Sequence, residues 1–130
     1  MKSGQRYLLA CLAAAALVVG TVSIDASSFG SRAHYITFSR SVALPGVELA
    51  AGTYVFELAL PDSDLNLVRV SSRDRRQVYF TAFTNTIARP ADLQRNQIVT
   101  FGEVTASAPA PIAVWYPSGL DSGRQFIYRR

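Results

Sequence analysis

Residues 47–60 constrain the fold more than any other stretch of this chain. A turn of small residues at positions 50–52 is followed by a run in which apolar and other residues alternate. One face of that run carries Tyr54, Phe56, Leu58 and Leu60, and the other carries Val55, Glu57 and Ala59. A two-residue period with aromatic and branched side chains is typical of a half-buried β-strand.

Similar short segments recur along the chain, separated by turn signals such as Pro45-Gly46. No long segment has a helical period. We therefore predict an all-β fold, a small antiparallel β-sandwich or barrel of about seven to eight strands after an N-terminal signal helix. Residues 77–86 are predicted to form one strand. Residues 104–111 are predicted to be a loop, because their prolines lack the amide donor that a central strand needs.

The first 26 residues have the layout of a secretory signal peptide. Two cations within residues 1–6 precede an uncharged apolar run over residues 7–19, and small or polar residues follow. We predict cleavage after Ala26, with Ser23 as the alternative, so that residues 1–26 are the leader and residues 27–130 a single β domain. An uncleaved anchor and lipidation at Cys11 are alternatives. Each of them predicts export to the periplasm or the medium.

The charge pattern contains one basic cluster. The 130 residues include 13 Lys and Arg against 9 Asp and Glu, a net charge of +4. Guanidinium groups suit phosphate and carboxylate partners, so the cluster predicts contact with an anionic envelope component or partner. A solvated hairpin tip, partly neutralised by Asp74, is the alternative. Nucleic acid is disfavoured because the patch is small and the chain is exported. The cluster consists of Arg69, Arg73, Arg75 and Arg76.

No pattern predicts a metal, a cofactor or a catalytic residue. His34 is the only histidine, and the only cysteine lies in the leader, whereas zinc sites recruit several such ligands. Residues 62–66 have the initial spacing of a calcium loop but lack its glycine and its bidentate glutamate. A carboxylate pair, Glu48 and Glu57, flanks one turn, and Glu57 is predicted to be solvated. We therefore predict that the protein is not an enzyme.

Four aromatic residues are candidates for either an apolar ligand pocket or the core of the domain. They are Tyr54, Phe56, Trp115 and Phe126.

Several phrases of the sequence resemble a family. Residues 44–54, LPGVELAAGTY, are similar to the LPaGtY core of small exported bacterial proteins of unknown function, and residues 69–74, 99–103 and 113–128 resemble later segments of them. The resemblance implies export and a β fold, and it implies no reaction. This chain departs from the pattern at Ala51, where a proline is common, at Arg75, where a turn glycine is common, and at Arg124, near an expected histidine.

These observations predict a non-catalytic periplasmic or secreted binding or structural module that contacts an envelope component or protein partner through a sheet edge. Contact with a membrane is predicted only through the leader, if it is uncleaved. A small barrel that binds an apolar ligand is the alternative, and an enzyme that uses carboxylates alone is a further one.

Overall fold

The computed structural model describes residues 23–25, 33–105 and 107–129, and this part of the chain is all-β, as predicted. Its strands are β1 (Ser23–Asp25), β2 (His34–Phe38), β3 (Val42–Leu44), β4 (Val47–Leu49), β5 (Gly52–Leu60), β6 (Asp64–Ser72), β7 (Val78–Phe83), β8 (Asn85–Ala88), β9 (Val99–Phe101), β10 (Ala110–Trp115) and β11 (Ser122–Gln125). The described ranges contain no helix that is long and apolar enough to cross a membrane. The apolar run of the predicted leader, with Cys11, lies outside the described residues.

The strands form two sheets, as in a sandwich. The first sheet has the order β1-β2-β5-β6-β7, and the second has the order β4-β3-β10-β11-β8, with β9 also paired to β10. Neighbouring strands are antiparallel apart from β3 and β10, which run parallel, with Val42 opposite Ala110. Hairpin connections can join only antiparallel neighbours, so the parallel pair requires the long return of the chain between β3 and β10.

Large apolar side chains from both sheets fill the space between them. Phe56 of β5 and Trp115 of β10 are fully buried, and their ring centroids lie 6.0 Å apart. The indole N–H of Trp115 donates to Nδ1 of His34 on the opposite sheet, at 3.1 Å. Burial of such side chains is the main favourable term in folding. The remaining members of the core cluster include Ile36, Phe38, Leu49, Val68, Val70, Phe80, Ile112 and Phe126.

The predicted strand over residues 77–86 is two strands that belong to different sheets. The chain leaves the first sheet at Thr84, whose backbone N–H and side-chain Oγ1 both donate to the carbonyl of Asn66 at 2.8 Å. A hydroxyl that bonds to backbone in this way ends one ladder without leaving a buried polar group unpaired. Residues 85–88 then pair with β11.

Pro111 contradicts the prediction of a loop over residues 104–111. It lies in β10, opposite Ala43, and its carbonyl accepts the N–H of Gly102 at 2.8 Å. Proline is tolerated there because it is the second residue of the strand, where one missing donor interrupts little of the ladder.

Gly123 sits where two strands approach closely. A methyl group at this position would lie 2.6 Å from the side chains of both Val114 and Tyr116. Only glycine allows β10 and β11 to pack at this distance without a shift of the backbone or of these side chains.

A buried arginine connects the two sheets. The side chain of Arg124, on β11, is almost completely buried, and its Nε donates to the carbonyl of Leu65 on β6. Its Nη1 donates to Oγ of Ser122 and to the carbonyl of Gly123, both at 3.0 Å. The planar guanidinium provides several donors in fixed directions, so one side chain can satisfy acceptors on both sheets. Arg124 therefore has a structural role in this fold.

The bond between Trp115 and His34 predicts a pH-dependent stability. Burial lowers the pKa of His34 below its usual value of 6.5, so the folded protein keeps the imidazole neutral while the unfolded chain takes up a proton. The stabilisation is complete above pH 6.5 and is lost as the pH falls below it, by at most about 1.4 kcal/mol per pH unit.

Urea unfolding of the wild type and of His34→Gln at pH 7.5 and 5.5 measures this effect. Glutamine keeps an acceptor for the indole N–H but does not titrate, so the variant should lose less stability than the wild type between the two values. Equal losses in both proteins would contradict the assignment.

Candidate functional site

The outer edge of β7 is the feature of this fold best suited to contact another molecule. β7 is a terminal strand of the first sheet, six residues long, whereas the terminal strands of the second sheet, β4 and β8, have three and four residues. A terminal strand exposes unpaired N–H and C=O groups that can pair with another chain.

The ladder with β6 fixes which backbone groups face outward. The N–H of Thr84 donates to Asn66, and the register continues with Ala82 opposite Val68 and Phe80 opposite Val70. Since bonded and non-bonded pairs alternate in an antiparallel ladder, Phe80, Ala82 and Thr84 bond to β6. The N–H and C=O groups of Thr81 and Phe83 therefore point away from the sheet.

Apolar side chains accompany these groups. Phe83 is 61% exposed and lies opposite Leu67 on the face of the first sheet that points away from the core. Val78 is 53% exposed, and Leu65 on β6 is also exposed. Natural edge strands commonly carry lysine or proline, which discourage pairing. Within Val78–Phe83 neither occurs.

A bulge alters the faces that the period of β7 had predicted. The register shifts between Val70 and Ser71, so that Val78 lies opposite Ser71 and Tyr79 is the extra residue. Tyr79 packs on the core, with its ring centroid 5.5 Å from that of Tyr54, while Val78 is exposed. The strict alternation of residues 77–86 in the sequence predicts Val78 on the same face as Phe80 and Ala82, with Tyr79 on the other face. An extra residue moves the side chains on one side of the bulge to the opposite face of the sheet.

The four predicted arginines separate into two pairs. Arg69 and Arg75 lie 3.4 and 3.9 Å from the carboxylate oxygens of Glu57. Arg73 and Arg76 lie at the exposed turn between β6 and β7, and the side chain of Arg76 is 88% exposed. We call residues 73–76 the basic tip. Its two arginines that do not pair with Glu57, Arg73 and Arg76, are placed to meet an anionic partner, although Arg76 also lies 3.9 Å from Asp74.

Glu57 is not solvated, contrary to the prediction. The residue is 6% exposed although its side chain points away from the core, because Arg69 and Arg75 lie over it. A buried carboxylate is tolerated when it is paired with a cation. Glu48 of the predicted carboxylate pair is exposed on β4, so the two do not share a buried site.

The backbone of the basic tip has a defined shape. Arg75 has a φ of 63°, in the left-handed region that glycine adopts most easily. Asp74 accepts from Oγ of Ser72 at 2.7 Å and from the N–H of Arg76 at 3.0 Å, and these bonds lower the pKa of its carboxyl. The tip also borders a shallow, open depression lined by Ser72, Arg73 and Asp74.

The four aromatic candidates for a ligand pocket all lie in the core cluster. Phe126 contacts Phe80 with ring centroids 5.6 Å apart, and Tyr54 donates its hydroxyl to the carbonyl of Ala50 at 2.6 Å. Each of the four is at most 8% exposed and packs with other side chains of the core cluster. His34 accepts the hydrogen bond of Trp115. In the described ranges, no three His, Cys, Asp or Glu side chains come together in a group that could hold a metal ion.

Proline scanning tests the direction of the backbone groups in β7. Thr81→Pro removes an outward N–H and should lower the free energy of unfolding by less than about 1 kcal/mol. Ala82→Pro removes a donor to β6 and should lower it by about 2 kcal/mol or more. Urea unfolding of both variants provides the comparison. A larger loss for Thr81→Pro would show that the alternation is reversed.

No protein-family model, curated protein or solved structure matches this chain. The resemblance to exported proteins with an LPaGtY core stays a prediction.

Proposed function

We propose that this protein is an exported, non-catalytic module that binds an extended polypeptide segment by strand addition at the β7 edge. The observation that carries the proposal is the combination, on one terminal strand, of outward backbone groups at Thr81 and Phe83 with an exposed aromatic side chain. In strand addition, main-chain hydrogen bonds supply affinity, and alternate side chains supply specificity.

The interior of the domain favours this function over binding of an apolar ligand. Phe56, Trp115 and Phe126 pack against other core rings, whereas a ligand-binding barrel keeps a cavity among such side chains. The buried polar side chains of His34 and Arg124 also bond within the fold. Within the described residues, we therefore favour the sheet edges and the basic tip as binding surfaces.

The leader supports export. A short apolar run after two cations is the pattern that secretion machinery reads. Cleavage after Ala26 would also remove β1, which pairs with β2 through Ser23, Ile24 and Asp25. The processed domain would then have β2 as its other terminal strand in the first sheet, and β7 would keep its position.

Site-specific photocrosslinking tests both parts of the proposal. The full chain, with its leader, is expressed in a bacterial host with p-benzoylphenylalanine in place of Phe83. The matched control carries the same analogue in place of Val104, which is 52% exposed but lies outside the strands. We expect a processed chain in the exported fraction and a discrete polypeptide adduct from position 83 only.

The dependence of the adduct on backbone pairing separates strand addition from contact by the side chain alone. Adding Thr81→Pro to the position-83 protein should reduce the adduct at least about tenfold, whereas Thr81→Val, which keeps the N–H, should not. Equal adducts at positions 83 and 104, or no effect of the proline, would contradict strand addition. Retention of the unprocessed chain in the cytoplasm would contradict export.

A further inference from the structure

We infer that the segment added at the β7 edge is β7 of a second copy of this chain, in antiparallel orientation about a two-fold axis at Ala82. This inference rests on the proposed function and names its partner. It follows from the backbone pattern, the side chains and the charges along one edge, which are complementary to themselves.

The backbone pattern is self-complementary. A two-fold axis at Ala82, perpendicular to the sheet, places Thr81 of each copy opposite Phe83 of the other. These are the two residues of β7 whose N–H and C=O groups point outward after the register with β6 is taken into account. An antiparallel bonded pair exchanges both of its hydrogen bonds, so this arrangement satisfies the outward groups of both residues in both copies.

The exposed side chains agree with the same axis. Paired residues in an antiparallel ladder share a face, so Phe83 of each copy would lie beside Thr81 of the other, on the face away from the core. The two Phe83 residues would be diagonal neighbours, about 7–8 Å apart at their backbones, which is within reach of aromatic side chains. The pairing would remove from water part of a side chain that is 61% exposed in the single chain.

The charges at the two ends of the edge have opposite sign. The basic tip contains three arginines and one aspartate, and it closes the end where β6 leads into β7. At the opposite end of β6, the turn from β5 contains Asp62 and Asp64. Asp62 is exposed, and Asp64 accepts the N–H of Asn66 at 2.9 Å. The edge is therefore basic at one end and acidic at the other.

Antiparallel pairing brings these ends together. When the register of β6 with β7, including the bulge at Tyr79, and the pairing of Thr81 with Phe83 are both extended, Arg76 of one copy lies level with Ser63 of the other, one residue from Asp62. Arg76 continues β7 of one copy and Asp62 continues β6 of the other, so their backbones are two strand spacings apart, about 10 Å. Two long or mobile side chains can bring the charged groups closer than this. A parallel arrangement would place tip against tip and turn against turn. Charge complementarity therefore selects the antiparallel dimer.

Sedimentation equilibrium of the processed protein purified from the exported fraction tests the inference. We expect a reversible dimer whose dissociation constant rises at least about fivefold between about 50 mM and 500 mM NaCl, because the charges are exposed. Thr81→Pro should raise the constant at least about tenfold, and Thr81→Val should leave it within about twofold. Circular dichroism of each variant checks that the fold is retained.

A charge exchange identifies the orientation. The double variant Arg73→Glu with Arg76→Glu makes both ends acidic, and Asp62→Arg with Ser63→Arg makes both ends basic. Each variant alone should dimerise at least about tenfold more weakly than the wild type, and an equimolar mixture should form a heterodimer close to wild-type strength. These positions leave the ion pairs of Glu57 and the bond of Asp64 unchanged.

The outcomes separate this inference from the proposed function. A protein that stays monomeric up to about 1 mM, while position 83 still crosslinks to a different polypeptide, would overturn the dimer and leave strand addition standing. A dimer unaffected by Thr81→Pro, or variants that fail to restore each other, would also overturn it. A dimer with the expected pattern, together with an adduct of twice the mass of the chain from position 83, supports it. Loss of adducts of every kind would overturn both.

Discussion

The contact of Trp115 with the opposite sheet is the interaction on which the rest of the structure depends. Its indole ring is fully buried against Phe56, and its N–H donates to His34. Apolar burial alone does not fix how two sheets face each other, because many arrangements remove similar area from water. A buried N–H must find its acceptor, so this bond sets one relative position of β2 and β10 and the surrounding side chains pack around it.

Away from this contact, other polar side chains also bond within the fold. The buried arginine, Arg124, uses its donors within the fold, and Glu57 is covered by Arg69 and Arg75. The terminal strand β7 differs from these regions, since its outer half combines unpaired backbone groups with the exposed ring of Phe83. The basic tip lies at one end of this edge, and the turn that contains Asp62 and Asp64 lies at the other. The two ends of the edge therefore carry opposite charge.

The sequence predicted the fold class and most strands because a period of two depends on neighbouring residues. Positions 54, 56 and 58 are core residues of β5, as their alternation indicated, but Leu60 on the same predicted face is 49% exposed and Val55 on the other face is fully buried. The division at Thr84 and the bulge at Tyr79 were missed, since each depends on a partner strand far along the chain. The burial of Glu57 depends on Arg69 in the next strand and on Arg75 beyond it.

The candidate site was accessible to sequence reasoning only in part. The basic cluster is visible in the chain, and so is the alternation that places Thr81 and Phe83 on one face. The position of β7 at the end of its sheet is a property of the whole topology and has no local signal.

Amide hydrogen exchange along β7 tests the central claim most directly. In dilute protein, the amides of Phe80, Ala82 and Thr84 should be protected to nearly the stability of the fold, and those of Thr81 and Phe83 should exchange at close to the rate of an unstructured chain. Protection at Thr81 and Phe83 that persists on dilution would show that the chain itself covers this edge, and it would contradict a β7 strand that is open to a partner.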